Sequence, residues 1–273
     1  MGARWPRCNA PYTARILRRI PLPALRMPHP FRHGKSLRWL LRRLVWLALA
    51  WVALSWLAVL ILRFVPPLTS AVMLERRLGA WLHHEPDFHL QQHWVPWKQV
   101  TPWVPLAMVA GEDQTFPYNH GFDFRSIHEA IDAADDGQRL RGASTLTQQT
   151  AKNLFLWNGR SFVRKGLEAY FTVLIDLTWP KRRVLEVYMN IAELGDGIYG
   201  VGAASAAYFH TTPARLTPAQ AARLAAVLPS PRRLHADRPS AYVLRRAGWI
   251  EQQMHQLGGP GYIEGHAPPR PPH

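Results

Sequence analysis

Hydrophobic and polar positions along this chain recur mostly at helical spacing, and the alternation expected of strands is scarce. The strongest block is LVWLALAWVALSWLAVLIL, Leu44 to Leu62, nineteen residues without a charge, bracketed by Arg42, Arg43 and Arg63. It is apolar on every face, and at about 1.5 Å rise per residue it matches a hydrocarbon core of roughly 30 Å. This predicts a membrane span over residues 44–63. A cleaved signal peptide usually has an apolar region of only ~7–15 residues, and no clear small-x-small site follows Leu62, so an uncleaved signal anchor is expected.

Beyond the span, amphipathic segments alternate with caps and breakers. Phe124, Ile127, Ile131 and Ala134 predict a helix from Phe124 to Asp135, and Thr145 with Gln148 forms a T-x-x-Q capping box for a helix to about Leu156. Ser161 can cap the next, whose apolar stripe is Val163, Leu167, Tyr170, Phe171 and Leu174. Pro180 is expected at a first helical position and Gly195 as that helix's stop. Thr217 with Gln220 repeats the capping signature before a helix ended by Pro229, and a last helix runs from about Ser240 to Gln256. Trp81, Trp94, Trp97 and Trp103 fit two readings equally, a surface dipping into the outer leaflet or ordinary core aromatics. The fold class predicted is mainly α.

Charge changes this picture in one respect. The net charge of +15 would suit a nucleic-acid binder, but residues 1–43 carry eleven Lys/Arg and no Asp/Glu, and residues 64–273 are close to balance. No nucleic-acid partner is therefore expected. Arg concentrated before the span places the amino terminus in the cytoplasm and residues 64–273 on the far side; a start at Met1 or at Met27 leaves the same basic flank. Cys8, in the tail, is the single cysteine, which excludes disulfides and thiolate metal sites from the exported part. The expected organisation is a basic cytoplasmic tail (1–43), the anchor (44–63), one domain (64–260) and a Pro-rich disordered tail (261–273).

Three clusters could carry chemistry. In GEDQTFPYNHGFD, Glu112 and Asp113 lie among Val109, Ala110, Phe116, Phe122 and Phe124, which would desolvate a carboxylate and raise its pKa towards that of a general base. In GASTLTQQTAKNLFL, helical spacing puts Gln148, Gln149, Lys152 and Asn153 in one arc, a face suited to a polar anionic ligand. Arg160, Arg164 and Lys165 crowd the start of the following helix, where Arg164 can either pair with Glu168 or help hold a phosphate. His83, His84, His89 and His93 cluster without the Asp, Glu or Cys spacing of a metal site, and none is assigned.

Taken in order, EDQTFPYNHGFD, GASTLTQQTAKN, RKGLE, KRRVLEVYMNIAELGDGIYGV and RLAAVLPSPRR resemble the five motifs of the peptidoglycan glycosyltransferases, over about residues 70–260. The resemblance implies a lysozyme-like, mainly helical bilobal domain that polymerises lipid II into β-1,4 glycan with release of undecaprenyl diphosphate, without a transpeptidase domain. It implies Glu112 as the base, Asp113 as its support and Glu168 as the second essential carboxylate. Ser144, Thr145, Gln148, Gln149, Lys152 and Asn153 match the second motif, and Arg160, Arg164 and Lys165 the basic positions around the third, all as substrate-binding residues. The chain departs from the family at Asn119, where a His is usual, with His120 next. A divalent cation, Mg²⁺ or Mn²⁺, is implied with the substrate diphosphate. The membrane, the growing lipid-linked glycan and cell-division or wall-synthesis proteins are the partners implied. Two rivals remain: a lytic enzyme, which would have little use for cations near an uncharged leaving sugar, and a non-catalytic membrane scaffold.

Overall fold

The computed structural model describes residues 2, 33–124, 128, 144–159 and 161–263. Most of the basic tail, the helix expected from Phe124 to Asp135 (apart from Phe124 and His128), Arg160 and nearly all of the Pro-rich tail lie outside the described residues. The chain divides into two compact units, with the boundary between Ala50 and Trp51.

That boundary falls inside α1 (His33–Leu62), in which Arg38–Leu62 is long and apolar enough to cross a membrane. Within the second unit, the end of α1 is tied down by side chains that donate to carbonyls at and just beyond the helix terminus. Trp179 Nε1 donates to Val59 O (2.8 Å), and the Arg183 guanidinium donates to Leu62 O (2.9 Å) and Val65 O (2.8 Å). Ser55 Oγ and Tyr170 Oη share a further hydrogen bond of 2.6 Å.

After α1 come α2 (Ala71–Leu82), α3 (Trp103–Glu112), α4 (Leu146–Phe155), α5 (Phe162–Thr178), α6 (Lys181–Ile191), α7 (Gly200–Phe209), α8 (Pro218–Val227) and α9 (Ala241–Gln256). Three short strands, β1 (Gln91–Gln92), β2 (Glu193–Gly195) and β3 (Ile198–Tyr199), form a small sheet in the order β1-β3-β2, with β1 parallel and β2 antiparallel to β3. The described part is mainly helical, as expected. Both predicted capping boxes form: Thr145 and Thr217 each accept from the backbone three residues on, and Gln148 and Gln220 return the bond. Ser161 and Ser240 cap α5 and α9.

The apolar run Val104–Ala110 makes α3 a central helix, buried on all sides and packed against α6, α8 and α9, while α4 packs against α5 and α6. Asn190 at the end of α6 is fully buried and holds the segment before α3: its Oδ1 accepts from Val95 N (2.7 Å) and its Nδ2 donates to Val95 O (2.9 Å). The chain then turns back against the same residue. Gly200 has φ +76°, and a Cβ there would sit 2.5 Å from Asn190 O, so only glycine fits.

Three local expectations need correction. Pro180 is the N-cap residue of α6, in extended conformation, and Lys181 takes the first helical position. Gly195 does not stop α6, which ends at Ile191; it lies in β2, where a side chain would collide with Tyr208 Oη. The stripe on α5 begins later than expected: Leu167, Tyr170, Phe171 and Leu174 lie in or against the core, but Val163, in the first turn, is 73% exposed. Three of the four tryptophans take the reading as core aromatics. Trp94, Trp97 and Trp103 pack against the core, whereas Trp81 is 73% exposed on α2.

Candidate active site

Because α3 is buried along its length, it delivers its last residue into the protein interior. That residue is Glu112, and Asp113 is its C-cap. The Glu112 carboxylate is held from two sides. Oε2 accepts from Gln149 Nε2 at 3.0 Å, and Gln149 is itself oriented by the Tyr188 hydroxyl, which donates to its Oε1 at 2.8 Å. Oε1 faces Arg246 Nη2 at 3.2 Å. Burial pushes the Glu112 carboxyl above the ordinary range for glutamate; the bonds to Gln149 and Arg246 and the charge of Lys152 pull the other way. Phe124 is 68% exposed and contributes little of the expected shielding, whereas Val109, Ala110 and Phe116 are fully buried.

Lys152 lies one turn beyond Gln149 on α4. Burial lowers its pKa, the Glu168 and Glu112 charges oppose that, and the Arg164 and Lys165 charges add to it. It is a partly desolvated cation between two carboxylates and two further cations. Those two are committed to Glu168: Arg164 Nη1 lies 2.8 Å from Glu168 Oε2, and Lys165 Nζ is paired with Oε1. Arg164 Nε also donates to Gly159 O at 2.7 Å, which fixes the guanidinium on the loop before α5. The intrahelical pairing considered from the sequence thus forms, with Glu168 buried beneath it.

Asp113 points elsewhere. Its carboxylate accepts from Leu146 N at the start of α4 (3.0 Å), from Asn119 Nδ2 (3.0 Å to each oxygen) and from Thr115 Oγ1 (3.1 Å). Burial raises its pKa, and these donors counter the rise. It locks the acidic turn onto the helix that carries Gln149 and Lys152. Asn119 is buried, and its Oδ1 accepts from Lys181 Nζ (3.1 Å), which pairs with Asp176 (3.0 Å); His120 is exposed. Asn119 is therefore the buried partner of Asp113 in this chain, and His120, exposed, does not take that place. We expect Asn119→Ala to destabilise the protein by about 1–3 kcal/mol, because Asp113 would lose two charge-assisted contacts in a buried site. His120→Ala should stay within about 0.5 kcal/mol of wild type. Urea unfolding of the two variants compares them directly.

The other expected site residues divide. Thr145 and Gln148 are buried and engaged in the cap of α4, with Thr145 Oγ1 also donating to Gly121 O at 2.6 Å. Ser144 is exposed and, with Glu112, Asp113, Asp123 and Trp249, lines a cavity of about 280 Å³. Asn153 is half-buried on α4. Arg160 is outside the described residues. A larger cavity, about 700 Å³, lies around Arg76, Glu85, Glu193, Asp196 and Arg232, but these charges are paired with one another.

Cation-binding capacity is low on this donor set. Both Glu168 oxygens are taken by Arg164 and Lys165, and among the described residues no three His, Cys, Asp or Glu side chains converge, including His83, His84, His89 and His93. Among the described residues the side chains do not form a cation cage.

Two residues at the centre were not singled out for chemistry in the sequence. Tyr188 sits in the apolar stripe of α6, where nothing marks its hydroxyl. Arg246 follows Arg245 on α9, a pair that reads as ordinary helix surface. No local signal separates either from its structural alternative.

A family profile described as Transglycosylase matches residues 80–255. Relatives named biosynthetic peptidoglycan transglycosylase include one from Xanthomonas campestris pv. campestris (strain B100), 53% identical over 235 residues, covering 86% of this chain and 94% of the relative. Another from Chromohalobacter salexigens is 54% identical over 224 residues, 82% of this chain and 95% of the relative. A third from Pseudomonas entomophila is 52% identical over 227 residues, 83% and 94% respectively. The residues matched by the profile include the helices that carry Glu112, Gln149, Lys152, Glu168, Tyr188 and Arg246, and the chain belongs to the transglycosylase family.

Proposed function

We propose that the enzyme polymerises lipid II into linear β-1,4 glycan for the peptidoglycan wall, with Glu112 as general base. The observation that carries this reading is the half-buried Glu112 carboxylate, held by Gln149 and Arg246 near the partly desolvated Lys152. In the proposed step, Glu112 takes the proton from the acceptor sugar's 4-hydroxyl as that oxygen attacks the anomeric carbon of the growing strand. The bond from that carbon to the phosphate oxygen breaks, its electron pair leaves with undecaprenyl diphosphate, and the configuration inverts.

Diphosphate is already a stable anion, so its departure calls for electrostatic neutralisation more than for a proton. Lys152 is the group suited to this, with Arg160 as its proposed companion. Glu168, saturated by Arg164 and Lys165, is supported as an orienting group that fixes these cations, and Asp113 as one that fixes the turn bearing Glu112. Ser144 and Asn153 are proposed to contact substrate, while Thr145 and Gln148 act through the start of α4. A divalent cation, Mg²⁺ or Mn²⁺, is proposed only as a companion of the diphosphate oxygens, and no step here passes through it.

The proposed location is the bacterial inner membrane, with the basic tail in the cytoplasm and the catalytic domain facing the periplasm. Cell-division or wall-synthesis proteins are proposed partners, and no transpeptidase activity is expected. The full chain, purified in detergent and given lipid II, should release undecaprenyl diphosphate and build linear glycan that muramidase digests. Fragments released from finished wall instead would point to a lytic enzyme, and no turnover of either to a scaffold.

A further inference from the structure

We infer that Arg246 is a positioning residue that orients Glu112 and keeps it ionised in the free enzyme, ready to accept a proton. The inference rests on the reading of Glu112 as the base. Glu112 ends α3, so its carboxylate sits at the negative pole of that helix, where burial and the unpaired terminal carbonyls both favour the neutral acid. Something has to oppose this, or the group enters catalysis already protonated.

The surroundings leave few ways to do it. From α8 and α9, Ala225 and Ile250 wall off the neighbouring Gly111, and neither carries charge. From α6 comes Tyr188, neutral and itself bound to Gln149; from α4 come neutral Gln149 and the cation Lys152. Asp113, next in sequence, is turned to Leu146 N and Asn119. Arg246 is the cation in hydrogen-bond contact with the carboxylate, and the same Nη2 also donates to Gly111 O at 3.3 Å, so one nitrogen spans the carboxylate and a terminal carbonyl of α3.

One nitrogen makes the contact and the buried Nε has no partner, so the guanidinium is held in place by Glu112 and Gly111 O. Lys152 cannot substitute for it during turnover: once a diphosphate is bound, the charge of Lys152 is neutralised by its ligand. Arg246 then remains as the resident positive charge on the base.

The test is the pH profile of kcat/KM for lipid II, measured with the full chain in detergent for wild type, Arg246→Met, Arg246→Gln and Arg246→Lys. Activity rises with pH as the base ionises. The uncharged variants should therefore lose about tenfold or more on the acid side and recover most of it as pH rises, with the limb displaced to higher pH. Arg246→Lys should bring the limb back towards wild type. A purely structural role lowers the profile without moving it; a limb that coincides with wild type in whichever uncharged variant folds, or a lysine that restores nothing, overturns the inference. Glu112→Gln in the same assay separates the two readings: if it stays active, the assignment of the base fails, and if it is inactive while the Arg246 limbs coincide, only the role of Arg246 fails.

Discussion

Glu112→Gln is expected to reduce lipid II polymerisation by about 10²–10⁴-fold, the usual contribution of a positioned general base, while leaving the fold intact. Glutamine has the same shape, so the walls made by Ala225 and Ile250 against Gly111 are undisturbed, and its carbonyl can still accept from Gln149 or Arg246. It cannot take up a proton. The variant should also change stability in a pH-dependent way. Burial raises the folded-state pKa of Glu112, and a group raised in this way contributes stability that is present below its unfolded pKa and lost as pH rises through the folded one. The glutamine variant has no such loss, so its melting temperature relative to wild type should be higher near pH 8 than near pH 4. Arg246 left without its carboxylate works against this, but its side chain is 24% exposed and water can take over. An inactive variant whose stability relative to wild type increases with pH is the expected signature of a functional carboxylate kept in an unfavourable place. Retention of more than about a tenth of wild-type activity would remove Glu112 from the base position.

Lys152→Ala is the second large effect, about 10²–10³-fold in kcat/KM, the scale seen when one preorganised electrostatic stabiliser of a leaving anion is removed. Burial and the Arg164 and Lys165 charges make the ammonium of Lys152 less comfortable than in water, and Glu168 and Glu112 only partly compensate. An arriving diphosphate relieves that strain, which is why the interaction should be strong in the site. Lys152→Arg should recover part of the loss, since charge is kept while reach and shape are not. Single-turnover kinetics on lipid II would check both variants, and a near-wild-type rate for the alanine would exclude Lys152 from the diphosphate clamp.

Much of this site was legible before any coordinates, and the reason is locality. Glu112 and Asp113 are adjacent, Gln149 and Lys152 are one helical turn apart, and Arg164, Lys165 and Glu168 lie within four residues, so helical geometry alone brings each set together. What each member does was less visible. Gln148 shares the arc of Gln149 on a helical wheel, yet it is bound to Thr145 N, while Gln149 reaches across to Glu112. The departure at Asn119 was visible as a departure; its bonds to Asp113 and Lys181 were not.

The sequence by itself determined the apolar segment, the mainly helical class, the capped starts of α4, α5, α8 and α9 and the motifs that place the chain in its family, because these depend on side chains a few positions apart. Only the tertiary structure decided which helix faces are buried, why Gly195 cannot bear a side chain and how Glu112 is surrounded. The Arg246 contact joins residues 134 positions apart. A pairing at that separation leaves no periodic trace in the chain, since it exists only once α3 and α9 have packed against each other.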